Sequence, residues 1–597
     1  MGPGTDNLNS VNNPAELVVP RVQAAIALAF GEEFRQTDPV IRPSQFADIQ
    51  INAAMALAKK VGLPPRDAAA RIVESLDLDG VCSLVEISGP GFINLTFDGT
   101  WIEELLNTPE PTGAQPAPLH RVVVDYSSPN VAKEMHVGHL RTTVVGDSIV
   151  RVLESLGHTV IRQNHIGDWG TPFGMLIEHW LEVGEDSPEA ALLVDDPSAF
   201  YQAARAKFDA SAAAAGDESD GFATRARLRV VALQGGDPET FAVWQRLVAQ
   251  SKRYFNAIYS MLGISLTDDH IAGESSYDAH LAQLCQELEE RGIARVSEGA
   301  LCTFPAGFIG RDGDPLPLII RKSDGGYGYG TTDLATIRYR VRELEADRVL
   351  YVVGAPQNVH LRMVMATARD AGWLPDTVEA THVQIGNVLG EDGKILKSRA
   401  GNPVKLMALL QEAVDRARAV IDASRPELSD AERAVTARQV GIGAVKYADL
   451  STGHDTEYVF DFDRMLALSG NTGPYVQYAA ARIRSILRKA GELERHTGAD
   501  AAPGARIAVV EPAERALALH LLEYDVTLQK VGELLEPHRL CAYLFELAQL
   551  FTSFYDQCPV LKADETVRES RLALCGLVLQ RLSSGLALLG IETPENM

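Results

Sequence analysis

The sequence lacks the marks of a secreted, disulfide-built or membrane-embedded protein. Its six cysteines, Cys82, Cys285, Cys302, Cys541, Cys558 and Cys575, are scattered, with no Cys-x-x-Cys and no histidine at ligand spacing. That spacing predicts buried thiols and excludes both a disulfide framework and a structural zinc site. No run of about 18 uncharged apolar residues occurs, so no membrane partner is expected. The opening MGPGTDNLNSVNNPAELVVP has neither the cationic start nor the apolar centre of a signal peptide, which points to the cytoplasm. Basic residues are also in deficit: 55 Lys and Arg face 80 Asp and Glu, for a net charge of −25. A nonspecific nucleic-acid coat draws on clustered cations that displace counterions, so DNA is not an expected partner and any RNA contact must be local.

Apolar residues make up 46% of the chain, well above the disordered range, and 597 residues exceed what one core can hold. Residues 1–115 read as a small α/β unit. Helical patterns run through VQAAIALAF and INAAMALAKKVG, and the alternation in SLVEISGPGFINLTF turns over at Gly89-Pro90-Gly91 as a hairpin. NTPEPTGAQPAP, with four prolines in twelve residues, reads as a linker. Residues 116–459 alternate strand and helix, with a helical insertion near 182–263 tipped by SAAAAGDESDG. LCTF, LPLII, VLYVV and THVQIG are expected to return as strands of the α/β sheet. Over 460–597 the strands stop. Leu517, Leu521, Tyr524, Leu528, Val531 and Leu535 keep helix periodicity, as do Leu540, Leu544, Leu547 and Phe551, which predicts a helical bundle.

The most informative segment is RVVVDYSSPNVAKEMHVGHLRTTVVGDSIVRVLESLGHTVIRQNHIGDW. Arg121 to Ser127 reads as a buried strand, and from Leu140 the apolar residues follow a 3.6-residue period as far as Gly157. Thr159 to Ile166 reads as the next strand. His136, Gly138 and His139 therefore stand where a strand passes into a helix. Free N–H groups and the positive end of the helix dipole attract phosphates there. The two imidazoles add donors, and Gly138, without a Cβ, lets a flat purine approach the backbone.

Seven blocks in order, GPGFINL, DYSSPNVAKEMHVGHLR, HIGDWGTPFGMLI, SDGGYGYGTTDLATIRYR, VGIGAVKYADLS, GPYVQYAAARIRSI and GIETPENM, resemble segments of the arginyl-tRNA synthetases, a branch of the class I aminoacyl-tRNA synthetases. The resemblance spans the chain. It implies an α/β fold: a Rossmann-type catalytic core, an N-terminal α/β domain touching the tRNA elbow, and a C-terminal α-helical anticodon-binding bundle. It implies an arginine–tRNA ligase that uses ATP, with Mg2+ on the phosphates, to make arginyl-adenylate and then charges tRNA(Arg), usually activating arginine only with tRNA bound. A cytoplasmic monomer is the family expectation. No dedicated metal site is expected.

On the family's motifs, Asp125, Asn130 and Lys133 precede the His pair where arginine and phosphate contacts lie. A carboxylate there suits an α-ammonium, an amide suits carboxylate or amine, and a lysine suits the pyrophosphate. Tyr329 and Asp333 in YGTTD match the side-chain-reading motif, with His136 and Gln357 further contacts. The guanidinium fork calls for a planar carboxylate, which favours Asp333. Without the resemblance, Asp333 reads as an N-cap and Tyr329 as a core aromatic. The second class I motif is replaced by GKILKSRAGN, which places Lys397, Ser398 and Arg399 in the phosphate-closing loop; a solvated basic turn is the plain alternative. Pro356 and Gly354 perturb the approach to Gln357. For tRNA, Tyr475 and Tyr478 are suited to stacking on bases, with Arg482 and Met597 beside them. Arg482, Arg484, Arg488 and Lys489 form a candidate basic face, although a bare charge run of this kind is more often a solvated face.

Three other functions remain open at this point. A paralogue could accept an arginine analogue, a nucleotidylyltransferase could use the same HxGH turn, and a synthetase-like RNA-binding protein could have lost its chemistry.

Overall fold

The β-branched run RVVVD forms β1 (Arg121–Asp125), the strand from which the central sheet is built. In the computed structural model, residues 13–108, 119–131, 133–213, 221–310, 312–323, 325–397, 404–494 and 505–597 are described. The proline-rich linker beyond 108, the insertion tip at 214–220, Ser398 and Arg399 lie outside them. After β1 come α1 (Val137–Ser155), β2 (Thr159–Gln163), α2 (Tyr329–Arg342), β3 (Arg348–Gly354), α3 (Asn358–Asp370) and β4 (Glu379–Ile385). The strands lie in the order β4–β3–β1–β2, and every pairing is parallel. The order reverses beside β1. Open sheets of this kind bind ligands in the crevice that the reversal leaves at the carboxyl ends of the strands. Close packing of α1 on the end of β1 depends on Gly146, where a Cβ would stand 2.3 Å from the Cβ of Tyr126.

Three expectations are corrected by this architecture. β1 ends at Asp125, because Ser127 (φ 70) and Ser128 (φ 46) turn the chain through the left-handed region, and β2 ends at Gln163. LCTF and LPLII do not join the parallel sheet. They belong to a separate antiparallel sheet of Ala294–Ser297, Ala300–Thr303 and Leu318–Arg321, since an apolar run favours a strand without choosing its partner. The stripe from Leu517 to Leu535 belongs to two helices, Pro512–Leu521 and Tyr524–Leu534, and Leu535 closes the second with φ 60. Among the described residues after β2, helices run over Thr171–Val183, Pro188–Asp195, Pro197–Ala213, Phe222–Gln234 and Pro238–Leu262.

The N-terminal unit carries a four-stranded antiparallel sheet ordered Ile41–Pro43, Ile49–Ile51, Phe92–Phe97, Cys82–Ser88. Its hairpin turns at Gly91 (φ 147), where a Cβ would approach the Pro65 carbonyl oxygen to 2.6 Å. One apolar core runs from Val122 and Val124 on β1 to Leu586 and Ile591, so the catalytic sheet and the C-terminal helices share a continuous interior. Val123, Val349 and Tyr351 pack into a second core on the opposite sheet face, under α2 and α3. Among the described residues one helix, Glu565–Leu588, is long and apolar enough to cross a membrane; here it is a core helix, with Leu572, Cys575, Leu579 and Leu582 buried.

Candidate active site

The His pair forms a closed cap. His136 is the N-cap of α1, and its Nδ1 accepts the Gly138 N–H at 3.1 Å, while His139 Nδ1 accepts the His136 N–H at 3.1 Å. Each imidazole thus spends Nδ1 on the backbone, which leaves its proton on Nε2 as a donor. Burial, aided by Lys133, lowers His136; burial and the neighbouring His136 push His139 down to about 3. Both rings are therefore neutral donors at neutral pH. Gly138 is required by the cap itself: a Cβ would sit 2.8 Å from the His136 ring.

A cleft of about 680 Å³ gathers the ends of the strands around this cap. Asp125, His136, Glu274, Tyr329, Asp333 and Gln357 line it, as do Gly138, His139, His165, His360 and Lys397. An adjoining cavity of about 680 Å³ adds Lys133 and shares Asn130, Glu274, Tyr329 and His360. The Lys133 ammonium stands 4.4 Å from the centre of the Tyr201 ring. Gln357 ends a short turn, Ala355–Gln357, led by Pro356, and reaches the same cleft as Tyr329 and Asp333.

Asp125 is not an open carboxylate. It is 4% exposed, binds Arg340 Nη2 at 2.7 Å and accepts the Ser128 hydroxyl at 2.8 Å. Burial raises its pKa, but Arg340 and then His165 outweigh it and hold it below the usual carboxylate range. The left-handed turn after it is fixed by Ser127 Oγ against the Tyr259 hydroxyl (2.7 Å) and by Ser128 N–H on Asn164 Oδ1 (3.1 Å). Such backbone, costing about 1–3 kcal/mol per residue, persists where its surroundings over-determine it.

Asp333 is not an N-cap. The helix begins at Tyr329 with Gly328 before it, which puts Asp333 inside the helix and leaves its carboxylate for other partners. It accepts His360 Nε2–H at 2.5 Å, and His165 Nε2 lies 3.8 Å away. Tyr329 is 66% exposed and meets the His360 ring edge-on at 4.7 Å, so it is a cleft-mouth aromatic and not a core one. Glu274, absent from the sequence reading, completes an acidic corner. Burial, then Asp333 and Asp168, push its carboxyl up to about 8. No motif announces it in GESSY; only the loop path brings it in.

The loop carrying the second motif enters and leaves the site at described residues. Lys397 lines the cleft. At the exit, Val137 N–H donates to the Val404 carbonyl (3.0 Å) and Leu406 N–H to the Met135 carbonyl (2.9 Å). Lys405, also missed from sequence, pairs with Glu134 at 2.8 Å and Asp196 at 3.4 Å.

The comparisons agree with this geometry. A family model described as "tRNA synthetases class I (R), catalytic domain" matches residues 102–462. The chain belongs to the arginyl-tRNA synthetases. An arginyl-tRNA synthetase N-terminal domain model matches residues 18–97, and a DALR anticodon-binding domain model matches 476–597. The chain is similar to the arginine–tRNA ligase of Thermobifida fusca (strain YX), 63% identical over 590 residues that cover 98% of this chain and all of the relative. The enzyme of that name from Frankia casuarinae is 49% identical, covering 97% and 99%. Among solved structures, the arginyl-tRNA synthetase of Plasmodium falciparum superposes with TM-score 0.80 at 27% identity, covering 98% of this chain and 99% of that one. The Thermus thermophilus enzyme gives 0.75 at 26%, covering 96% and 99%. As a family member the chain is a ligase that activates arginine with ATP and charges tRNA.

The synthetase's expected tRNA residues divide between two faces. Tyr475 packs on Phe545 with ring centres 5.5 Å apart, and Arg482 lies 4.4 Å over the Tyr555 ring, so both face the helix His538–Gln557; Tyr478 is 42% exposed. Met597 lies elsewhere, packed near Ile421 with its carbonyl accepting Arg425 Nη1–H at 2.5 Å. The basic run is not one surface. Arg484 is buried and donates to the Pro594 carbonyl at 2.9 Å, and Arg488 reaches Asn596 at 3.3 Å.

Proposed function

We propose that arginine and ATP meet in the single cleft at the carboxyl ends of β1 and β3, with its residues divided between two tasks. The observation that carries this reading is the union, in one cavity, of two neutral Nε2–H donors at a helix start and an acidic corner of Asp333 and Glu274. His136, His139 and the first N–H groups of α1 hold the ATP phosphates, with Gly138 against the nucleotide. Lys133, Lys397, Ser398 and Arg399 supply charge and hydrogen bonds to the departing pyrophosphate. Asp333 and Glu274 take the guanidinium, whose planar fork matches carboxylates, and Tyr329 and Gln357 frame it. Asn130 faces the amino-acid head. Asp125, held by Arg340, fixes the end of β1 and adds negative field for the α-ammonium.

The arginine carboxylate oxygen then attacks the α-phosphorus, the bond to pyrophosphate breaks, and arginyl-adenylate forms. In the second step a terminal ribose hydroxyl of tRNA(Arg) attacks the activated carbonyl and AMP leaves. Positioning and charge stabilisation suffice for both steps. Mg2+ would enter with ATP, whose triphosphate supplies the oxygen ligands this ion prefers.

The same reading gives residues 1–115 to the tRNA elbow, 116–459 to chemistry and 460–597 to the anticodon, with Tyr475, Tyr478, Arg482 and Met597 as contacts, in a cytoplasmic monomer. A nucleotidylyltransferase would have no use for the helical anticodon domain matched at 476–597. The test is ATP–pyrophosphate exchange with each amino acid, with and without tRNA. Exchange confined to arginine supports the assignment; exchange with an arginine analogue at equal efficiency, or with no amino acid, contradicts it.

A further inference from the structure

After β2 the chain runs beside a distant segment, and the two are zipped together. Asn164 N–H donates to the His270 carbonyl (2.8 Å), Ala272 N–H to the Asn164 carbonyl (3.0 Å) and Glu274 N–H to the Ile166 carbonyl (3.2 Å). At the end of this zipper Asp168 is 3% exposed. Its carboxylate accepts both donors of Ser275, the N–H at 2.9 Å and the hydroxyl at 2.6 Å. A Cβ on Gly273 would lie 2.5 to 2.7 Å from the same carboxylate. Both neighbours of Glu274 are thus matched to Asp168, one by two donors and the other by the absence of a side chain. Trp244 Nε1–H anchors the Asp168 carbonyl at 2.8 Å.

We infer that Asp168 is a positioning residue for amino-acid selection, setting through Gly273 and Ser275 where the Glu274 carboxyl stands against the arginine guanidinium. This rests on the assignment of Glu274 to the arginine subsite. A carboxylate suits the site because it accepts two donors at once. An asparagine offers one acceptor oxygen: with that oxygen on the Ser275 N–H, its NH2 faces the Ser275 hydroxyl, which must turn from donor to acceptor, and both bonds to a charged carboxylate become weaker neutral ones. Asp168 lines neither of the two cavities, whereas Glu274 lines both, so its effect on arginine passes through Glu274.

The test is steady-state exchange with full-length Asp168→Asn, Ser275→Ala, Glu274→Gln and the Asp168→Asn/Glu274→Gln double variant. Asp168→Asn raises the KM for arginine about tenfold and leaves the KM for ATP within about twofold, with Ser275→Ala a smaller change of the same kind. In the Glu274→Gln background Asp168→Asn adds little, because the group it positions is already gone. Equal losses toward ATP and arginine, or full additivity in the double variant, would make Asp168 a general structural residue and overturn the inference. If Glu274→Gln raises the arginine KM while Asp168→Asn and Ser275→Ala are silent, the positioning role alone fails. An unchanged arginine KM in Glu274→Gln contradicts the subsite assignment beneath it. Should Asp168→Asn not fold, Ser275→Ala carries the test.

Discussion

On the proposed assignment, Glu274 couples its protonation to the charge of the amino acid. Its carboxyl, raised to about 8 by burial and by Asp333 and Asp168, holds a proton at neutral pH. If Glu274 receives the guanidinium as proposed, the arriving cation favours the carboxylate and arginine binding expels that proton. The sign follows from linkage: a carboxyl raised on folding favours the fold at low pH and loses that contribution as pH rises from about 4.5 to about 8. Arginine binds the ionised form, so its affinity rises over the upper part of that window. Calorimetry in buffers of different ionisation enthalpy should show up to about one proton released per arginine bound near pH 7, falling toward zero near pH 9. In Glu274→Gln the release disappears. Proton uptake on binding would refute this reading of Glu274.

At the scale of elements, α1 is held as firmly at its flank as at its cap. Arg141, two residues beyond His139, is fully buried and pairs with Asp449 of the helix Asp430–Leu450 at 2.6 Å. Its other nitrogens donate to the carbonyls of Thr456 (2.7 Å) and Gly453 (3.2 Å). Asp449→Ala leaves a buried guanidinium without its counter-charge and should cost about 3–5 kcal/mol. Chemical denaturation measures that loss, and one below about 1 kcal/mol would show the pair to be dispensable. Little of this was legible beforehand. HVGH and the βαβ periodicity are local, so the strand-to-helix turn and α1 could be read from one segment. The Asp125–Arg340 and Arg141–Asp449 pairs join residues far apart in the chain, and neither partner carries a motif that names the other. The plain N-cap alternative for Asp333 fails because the helix already begins at Tyr329, behind Gly328.

For the whole molecule, order of blocks proved more informative than any composition: seven segments in sequence identified the family and the layers of the fold. They could not show that the layers share interiors. The N-terminal core incorporates Ala518 and Leu522, and Arg515 binds Asp48 at 2.5 Å, so the first unit is built onto the last. The tail is likewise part of the core. Gln477 Nε2–H donates to the Glu592 carbonyl (2.7 Å), and Arg484 depends on Pro594. Removing residues 592–597 should therefore destabilise the fold by about 2 kcal/mol or more, through unmet buried donors, as well as weakening tRNA charging. An unchanged thermal transition would show the tail to be an appendage.

The proposed division of one cleft, with ATP at the His pair and arginine at the acidic corner, is decided by the kinetics of His139→Ala beside Asp333→Asn in arginine-dependent ATP–pyrophosphate exchange. His139→Ala should lower kcat about a hundredfold or more with the arginine KM nearly unchanged. Asp333→Asn should raise the arginine KM at least about tenfold with the ATP KM nearly unchanged. Matching losses toward both substrates in both variants would contradict the division of the cleft.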